Sequence, residues 1–424
     1  MNAARWPLAL ALLTSCASTV TGTTGASDAA LDSPPSNIAV SDAGALTDVP
    51  ENQPGDVPVI DPLCPQRPCR VAPLLRAAMA ATWLIYPDGR TAYWGSWAST
   101  RNREGDGLNR YESPVQGPRL GDDIVDVAMS IFHGCALGVY PRRVICWGDN
   151  DFGQLGHAAS ASAEPPSIVA GLSDVAAIGA LGQSSWALSG SGAFRWGTTN
   201  LFELRDAFDR PTRIPFTPAG ASRFATGGTD RSFGFLTSDR AVYPFGENAY
   251  GSAGSGSDAA VTVPTRLTGL VDVIDYHAAA TASCAVVTSG AVYCWGQRAG
   301  VLARRGELPE GTARPELVPG INDATRVYVG SAFACVLTRT RTVRCWGAVN
   351  WDPPDSSVGA NDFLPPGPPM DLPPVRELAV GLNHACALTM ADEVYCWGHN
   401  GAAQLGIPRF YANSNRPRRV PLPQ

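Results

Sequence analysis

Cysteine and histidine are the residues of this chain whose type and spacing point most directly to chemistry. There are 11 Cys in 424 residues. Ten fall into local pairs, Cys64/Cys69, Cys135/Cys146, Cys284/Cys294, Cys335/Cys345 and Cys386/Cys396. Paired thiols either cross-link or hold a metal. Zinc sites favour ligands spaced by about two to four residues and grouped with partners. The last four pairs are instead separated by nine or ten residues and scattered along the chain, so disulfides are expected. Cys64-Pro-Gln-Arg-Pro-Cys69 reads as a small disulfide loop, with a reactive redox pair as its alternative. His133 and His384 occupy one position of a repeated pattern in two distant copies, which suits hydrogen-bonded structural histidines better than a proton relay. Asp149-Asn150-Asp151 has the flavour of a calcium loop but lacks the later Gly-x5-Glu. No Gly-x-Ser-x-Gly, P-loop or His-Glu-x-x-His occurs. No catalytic residue, metal or cofactor is therefore expected.

What must position these cysteines is a repeat. Trp94-Gly95, Trp147-Gly148, Trp196-Gly197, Phe245-Gly246, Trp295-Gly296, Trp346-Gly347 and Trp397-Gly398 follow one another at steps of 53, 49, 49, 50, 51 and 51 residues. A fixed period near 50 indicates one structural unit copied in an array. Four copies carry both cysteines, the second immediately before Trp-Gly; the other three carry Trp83 and Tyr93, Trp186 and Arg195, and Gly234 and Pro244 at the matching places. No copy has half a pair, as cross-strand disulfides require. Cys386 and Cys396 flank a hairpin turning about Ala391, which sets them opposite each other, about 4.5–5.5 Å between Cα atoms and within disulfide reach.

Each copy reads as an apolar hairpin preceded by one further strand. A Pro-led segment follows, at Pro114, Pro166, Pro211, Pro264, Pro315 and Pro417, and the sixth copy has the Pro-rich stretch 365–374. Proline suits a strand start or sheet edge, so each segment is a candidate fourth strand. Four strands per unit, seven times over, describe an all-β fold, a seven-bladed β-propeller. The chain enters at the hairpin spanning Trp83 to Trp94 with no clear Pro strand before it and ends on the Pro segment 417–422. That ordering predicts closure by pairing of the C-terminal strand with the first blade.

The order Gly-x-x-His-x-Cys-Ala-Leu, Val-Tyr-Cys-Trp-Gly and Asn-x-x-Gly-Gln-Leu-Gly resembles the regulator of chromosome condensation repeat. The second copy carries it as Phe132-His133-Gly-Cys135-Ala-Leu137 and Cys146-Trp-Gly-Asp-Asn150-Asp-Phe-Gly-Gln154-Leu-Gly156. The resemblance covers about residues 74–424, strong in copies 2 and 7 and degraded in 1, 3 and 4. It implies a seven-bladed propeller.

Before the array, residues 1–15 read as a signal peptide whose apolar run is too short to span a bilayer. Leu13-Thr-Ser-Cys16 resembles the bacterial lipobox, with Cys16 as the lipidated first residue of the mature chain; this also accounts for the odd cysteine. Ala17, rather than Asp, implies an outer-membrane or cell-surface lipoprotein, with simple secretion as the alternative. Several acyl chains on one Cys suffice for stable anchoring, and an oxidising compartment suits the disulfides. Residues 16–62 are too poor in large apolar groups to fold and read as a disordered tether to the propeller, 63–424.

Composition bounds the partner. Net charge is −6, and all 32 basic residues are Arg with none in a block, so nucleic acid is not expected. The segments after each Trp-Gly diverge most and hold Trp97, Phe152, Phe202, Tyr250, Arg298 and Trp351. Aromatics and Arg in unrepeated loops suit a protein-contact face. The leading expectation is a non-enzymatic, monomeric, cell-surface or secreted protein-binding scaffold; secreted bacterial relatives in the resembled family include enzyme inhibitors, making inhibition one concrete form. A carbohydrate or cell-wall binder is the alternative. Guanine-nucleotide exchange, the activity of the family's eukaryotic namesake, comes third because export and acidity oppose it.

Overall fold

In a computed structural model the chain is described over residues 69–70, 72–101, 108–198, 207–226, 232–279, 281–297, 312–347, 365–407 and 413–423. The signal peptide, Cys16, the tether, Cys64, Phe202, Arg298 and Trp351 lie outside the described residues.

Seven antiparallel sheets follow one another along the chain. Blade 1 is β1 (Leu74–Ala77), β2 (Ala81–Ile85), β3 (Thr91–Arg101) and β4 (Leu108–Gln116). Blade 2 is β5 (Ile124–Met129), β6 (His133–Val139), β7 (Arg142–Asn150) and β8 (Ser160–Ile168). Blade 3 is β9 (Val175–Leu181), β10 (Ser184–Ser189), β11 (Gly192–Gly197) and β12 (Phe208–Arg213). Blade 4 is β13 (Ala221–Thr226), β14 (Ser232–Thr237) and β15 (Val242–Gly246), with Val261 bridging Gly246 where a fourth strand would lie. Blade 5 is β16 (Val273–Ala278), β17 (Ala282–Val287), β18 (Val292–Gly296) and β19 (Thr312–Leu317). Blade 6 is β20 (Ala324–Val329), β21 (Phe333–Thr338) and β22 (Val343–Gly347). Blade 7 is β23 (Val375–Val380), β24 (His384–Thr389), β25 (Val394–Gly398) and β26 (Ser414–Arg419). Proline sits in each described outer strand, at Pro114, Pro165, Pro211, Pro315 and Pro417, where a missing N–H discourages pairing with another chain.

The ring does not close by strand exchange, contrary to the sequence expectation. β26 pairs with β25 of its own blade, Tyr395 opposite Arg419, and β1 completes blade 1 by pairing with β2, Leu75 opposite Leu84. The short β1 carries no Pro signal, and each Pro segment belongs to the hairpin before it. Closure is a side-chain interface. Val420 and Leu422 pack in one apolar cluster with Leu84 and Trp94. Glu377 reaches Arg76 at 2.6 Å, and Trp94 Nε1 donates to Gln404 O at 3.1 Å.

Seven apolar clusters make the core, one at each blade boundary. The Trp-Gly ladder explains them. Trp94, Trp196, Trp346 and Trp397 each pack against the cysteine pair of the preceding blade. Cys135–Cys146, Cys284–Cys294, Cys335–Cys345 and Cys386–Cys396 lie at disulfide-bonding distance, S–S 2.05–2.11 Å, each pair directly opposed across its hairpin. In blades 1, 3 and 4 the opposed pairs are Trp83/Tyr93, Trp186/Arg195 and Gly234/Pro244. Trp83 stacks on Tyr93 with centroids 4.6 Å apart, so ring contact replaces the sulfur bridge. The glycine after each Trp, and after Phe245, takes a positive φ, from 81° to 134°. A Cβ at Gly296 would lie 2.3 Å from Thr281 O, and one at Gly197 would lie 2.2 Å from Gln183 O; only glycine lets the strand bend there.

Candidate functional site

Antiparallel succession puts the loops after each Trp-Gly on the same face as the turns joining the first and second strands of each blade. Two of these long loops are described throughout and that of blade 7 as far as residue 407, and their described parts are built alike. Asn150, Asn248 and Asn400 are buried, and their Oδ1 atoms accept from the amide five residues on, Leu155 at 3.0 Å, Ala253 at 2.7 Å and Leu405 at 3.0 Å. The loop then crosses the next blade's indole. Trp295 Nε1 donates to Ser252 O at 2.8 Å, and a Cβ on Gly254 would sit 2.9 Å from that same nitrogen. The Asn-x-x-Gly-Gln-Leu-Gly pattern is thus a clamp from one blade onto the next, and in blades 2 and 4 the residue two beyond the Asn is left facing outward. Phe152 and Tyr250 hold that position in blades 2 and 4, 41% and 46% exposed. Tyr250 has a left-handed φ of 58°, unusual for a large residue.

Trp97 does not belong with them. It is 5% exposed, its indole meets Trp83 edge-on at 4.9 Å, and its Nε1 donates to Ser130 O at 3.1 Å. The reason is that β3 runs on past Gly95, so Trp97 remains in the strand and seals the boundary with blade 2. Among the expected contact residues, the structure therefore places Phe152 and Tyr250 on one face and removes Trp97 to the core. Cys69 is disulfide-bonded, and its amide donates to Asp122 O at 3.1 Å.

The histidines are structural. His133 Nε2 lies 2.7 Å from Ser185 Oγ of the next blade, and Ser130 Oγ lies 2.9 Å from its Nδ1. His384 Nε2 lies 2.9 Å from Thr82 Oγ1 across the closing boundary. Burial pushes both imidazoles down to about 3, so they stay neutral and tie blade to blade.

One site escaped the sequence reading: the central channel, a cavity of about 280 Å³ bounded by the seven innermost strands. Arg76, Asp126, Arg223, Asp275, Arg326 and Glu377 line it, with the two charges alternating around the ring. Arg76 bridges Asp126 at 2.8 Å and Glu377 at 2.6 Å, while Arg223 meets Asp275 at 3.2 Å. Desolvation raises the Asp275 carboxyl even though Arg223 and the Val327 amide oppose it. These residues recur near the 50-residue step, but because their signs alternate a search for identical residues passes over them. Among the described residues, no three of His, Cys, Asp and Glu converge on a metal-sized site.

Seven hairpin-based blades around a channel, each clamped to the next by an aromatic ring, define a β-propeller of the repeat-array type. The Regulator of chromosome condensation (RCC1) repeat matches residues 375–404, the first three strands and clamp loop of blade 7. The chain is 26% identical over 343 residues to the ultraviolet-B receptor UVR8 of Arabidopsis thaliana, covering 74% of each protein. It is 28% identical over 262 residues to the E3 ubiquitin-protein ligase HERC2 of Mus musculus, covering 56% of this chain but 5% of that one. Human WBSCR16 superposes with a TM-score of 0.64 at 21% identity, over 79% of this chain and 94% of that one. Prp20p of Saccharomyces cerevisiae, described together with its binding to Gsp1p and histones, superposes with a TM-score of 0.66 at 17% identity, over 83% and 87%. The chain thus carries an RCC1-repeat match in blade 7 and shares the propeller fold of these solved structures.

Proposed function

We propose that this chain is a non-enzymatic protein-binding scaffold, exported and anchored through Cys16, that offers its long-loop face to a protein partner. The observation that carries this reading is the division of labour among its large side chains. Every described tryptophan is buried, and the clamp asparagines and both repeat histidines are committed to holding blades together. Phe152 and Tyr250 are instead held outward at equivalent positions on one rigid face. Exposed aromatics on a preorganised surface are the usual anchors of protein recognition. Relatives support the class: Prp20p is described by its binding to Gsp1p and histones. An inhibitor-like role, with loops laid over an enzyme's cleft, is the concrete form we favour. The carbohydrate reading loses support because Trp97, whose indole would have to be exposed to stack on a sugar, is in the core.

The test is affinity capture from the native cell surface on the immobilised Cys16→Ser chain, beside Phe152→Ala/Tyr250→Ala. A partner held by the first and released at least about tenfold faster by the second is expected, as for loss of an aromatic hot spot. Equal retention by both chains, or retention of glycans and no protein, would overturn the proposal. The anchoring step is tested separately by acyl-chain labelling, which Cys16→Ser should abolish.

A further inference from the structure

Each innermost strand turns one hydrogen-bonding edge toward the channel, and its amides and carbonyls need partners there. The charged ring supplies several of them from one blade to the next. Glu377 Oε2 accepts from Leu75 N at 2.8 Å, and Asp275 Oδ2 accepts from Val327 N at 2.9 Å. Arg76 Nε donates to Val127 O at 2.7 Å, and an Arg223 N–H donates to Ile274 O at 2.9 Å. All three carboxylates are also met by an arginine. These five residues are therefore committed to the fold.

Arg326 breaks the pattern. It shares the register position of Arg223, Asp275 and Glu377, each opposite the equivalent residue of the second strand. Yet among the described residues its guanidinium makes no hydrogen bond, and it stands exposed within the channel. Two residues on, the Tyr328 hydroxyl is equally without a hydrogen bond among the described residues, and burial raises it so that it keeps its proton. The neighbouring blade adds His277, at the register position of Tyr328, its ring centroid 6.3 Å from the phenol ring. Val329 N donates to His277 Nδ1 at 3.3 Å. That bond fixes Nδ1 as the acceptor and leaves the proton on Nε2. One wall of the channel thus presents a cation, a hydroxyl and an imidazole N–H, all of them donors.

Space and charge narrow what could sit there. At the level of His277 and Tyr328 blades 2, 3, 4 and 7 carry the small residues Ala128, Gly179, Ala225 and Ala379, while blade 1 carries Arg76, whose guanidinium is taken by Asp126 and Glu377. Toward the long-loop face the lining becomes apolar at Met79, Met129 and Leu382. A volume of about 280 Å³ falls just below the usual range of about 300–1,000 Å³ for small-molecule pockets, so the occupant is small. Asp275 and Glu377 flank Arg326, and a dianion would be repelled by them where a monoanion is tolerated.

We propose that this wall binds a small organic monocarboxylate, its two oxygens taken by Arg326, Tyr328 and His277 and its apolar body directed toward the methionine-lined mouth. A carboxylate accepts through both oxygens and matches a guanidinium fork. The proposal rests on the channel alone and stands apart from the loop-face reading.

Calorimetric titration of the full chain with benzoate tests it, with benzamide and inorganic phosphate as comparators. Saturable benzoate binding is expected, tighter than either comparator. Arg326→Gln should weaken it by about tenfold or more and Tyr328→Phe by about threefold, while Arg210→Gln, 85% exposed on an outer strand, should leave it unchanged. Arg326 makes no hydrogen bond among the described residues, so its variant should melt close to the parent. No saturable binding up to about 10 mM, on the affinity scale of a single weak contact, overturns the proposal. So does equal benzoate affinity in Arg326→Gln, or phosphate binding tighter than benzoate. Tyr328→Phe carries the test alone if the arginine variant misfolds, and full benzoate affinity there also overturns it.

Discussion

Replacing Cys386 and Cys396 together by alanine removes the staple of blade 7 at the boundary where the ring closes. The cysteines are 10 residues apart in sequence. In the chain-entropy picture a cross-link closing about ten residues destabilises the unfolded state by about 2.7 kcal/mol at 25 °C. Both side chains are fully buried and share a cluster with Leu84 and Trp94, so losing two sulfur atoms also opens space beside that indole, which costs about 1 kcal/mol more. The sum, about 4 kcal/mol, is a large share of an ordinary stability of about 5–15 kcal/mol. Guanidinium unfolding without reductant, followed by tryptophan emission, reads it directly. Cys284→Ala/Cys294→Ala is the internal comparison. Its separation is also 10, and Trp346 covers it as Trp94 covers the other. The two variants should lose similar amounts. A loss below about 1 kcal/mol in both, well under the loop-closure value, would refute the reasoning that these pairs act by constraining the unfolded chain.

Three further outcomes follow from the same geometry. Gly296→Ala places a Cβ 2.3 Å from Thr281 O at a φ of 100°, and should lower stability by about 2–4 kcal/mol, against about zero for Gly190→Ser, whose Cβ meets nothing within 4 Å and whose φ is not positive. Arg76→Ala leaves Asp126 and Glu377 without their shared cation; a loss of about 2–3 kcal/mol is expected, below the value for a fully buried pair because Asp126 is 43% exposed. His133 and His384 are depressed to about 3 from an ordinary 6.5, so their neutral form is favoured by folding. Their contribution is complete above pH 6.5 and is lost as pH falls toward 3, because only the unfolded chain takes up those protons. Unfolding midpoints measured from pH 7 to 4 should fall, and His384→Gln should flatten the slope; a parent slope unchanged by that substitution would contradict the assignment.

Much of this fold is legible in the sequence because its causes are local. The Trp-Gly step, the paired cysteines and the Asn-to-Gly clamp each act within one hairpin or on its neighbour, so they repeat visibly. Closure was misread for an equally local reason. β1 is four residues long and carries none of the proline that marks the outer strands, so the sequence shows no strand of its own ahead of the first hairpin and points to the C-terminal segment instead. Trp97 follows a Trp-Gly and looks like loop, but whether a strand ends at its bulge or runs on, as β3 does, depends on its partner. The channel is less legible still. Arg76, Asp126, Arg223, Asp275, Arg326 and Glu377 do one job with two opposite charges, and their convergence depends on ring geometry rather than on residue type.

The closing boundary shows why the loops of this ring are free to diverge. It is made from parts that each recur at some other boundary: an indole over the preceding cysteine pair, a histidine reaching a hydroxyl, an arginine reaching a carboxylate. Because each described blade completes its own sheet, no boundary depends on a strand lent by another. A substitution at the outward position of one clamp, as between Phe152 and Tyr250, leaves the Asn, the final Gly and the indole beneath it unchanged. The recognition surface can therefore vary blade by blade on a constant frame. Arg326 stands out against that frame, since it occupies a position where its counterparts are bonded to the fold and is left without a hydrogen bond among the described residues.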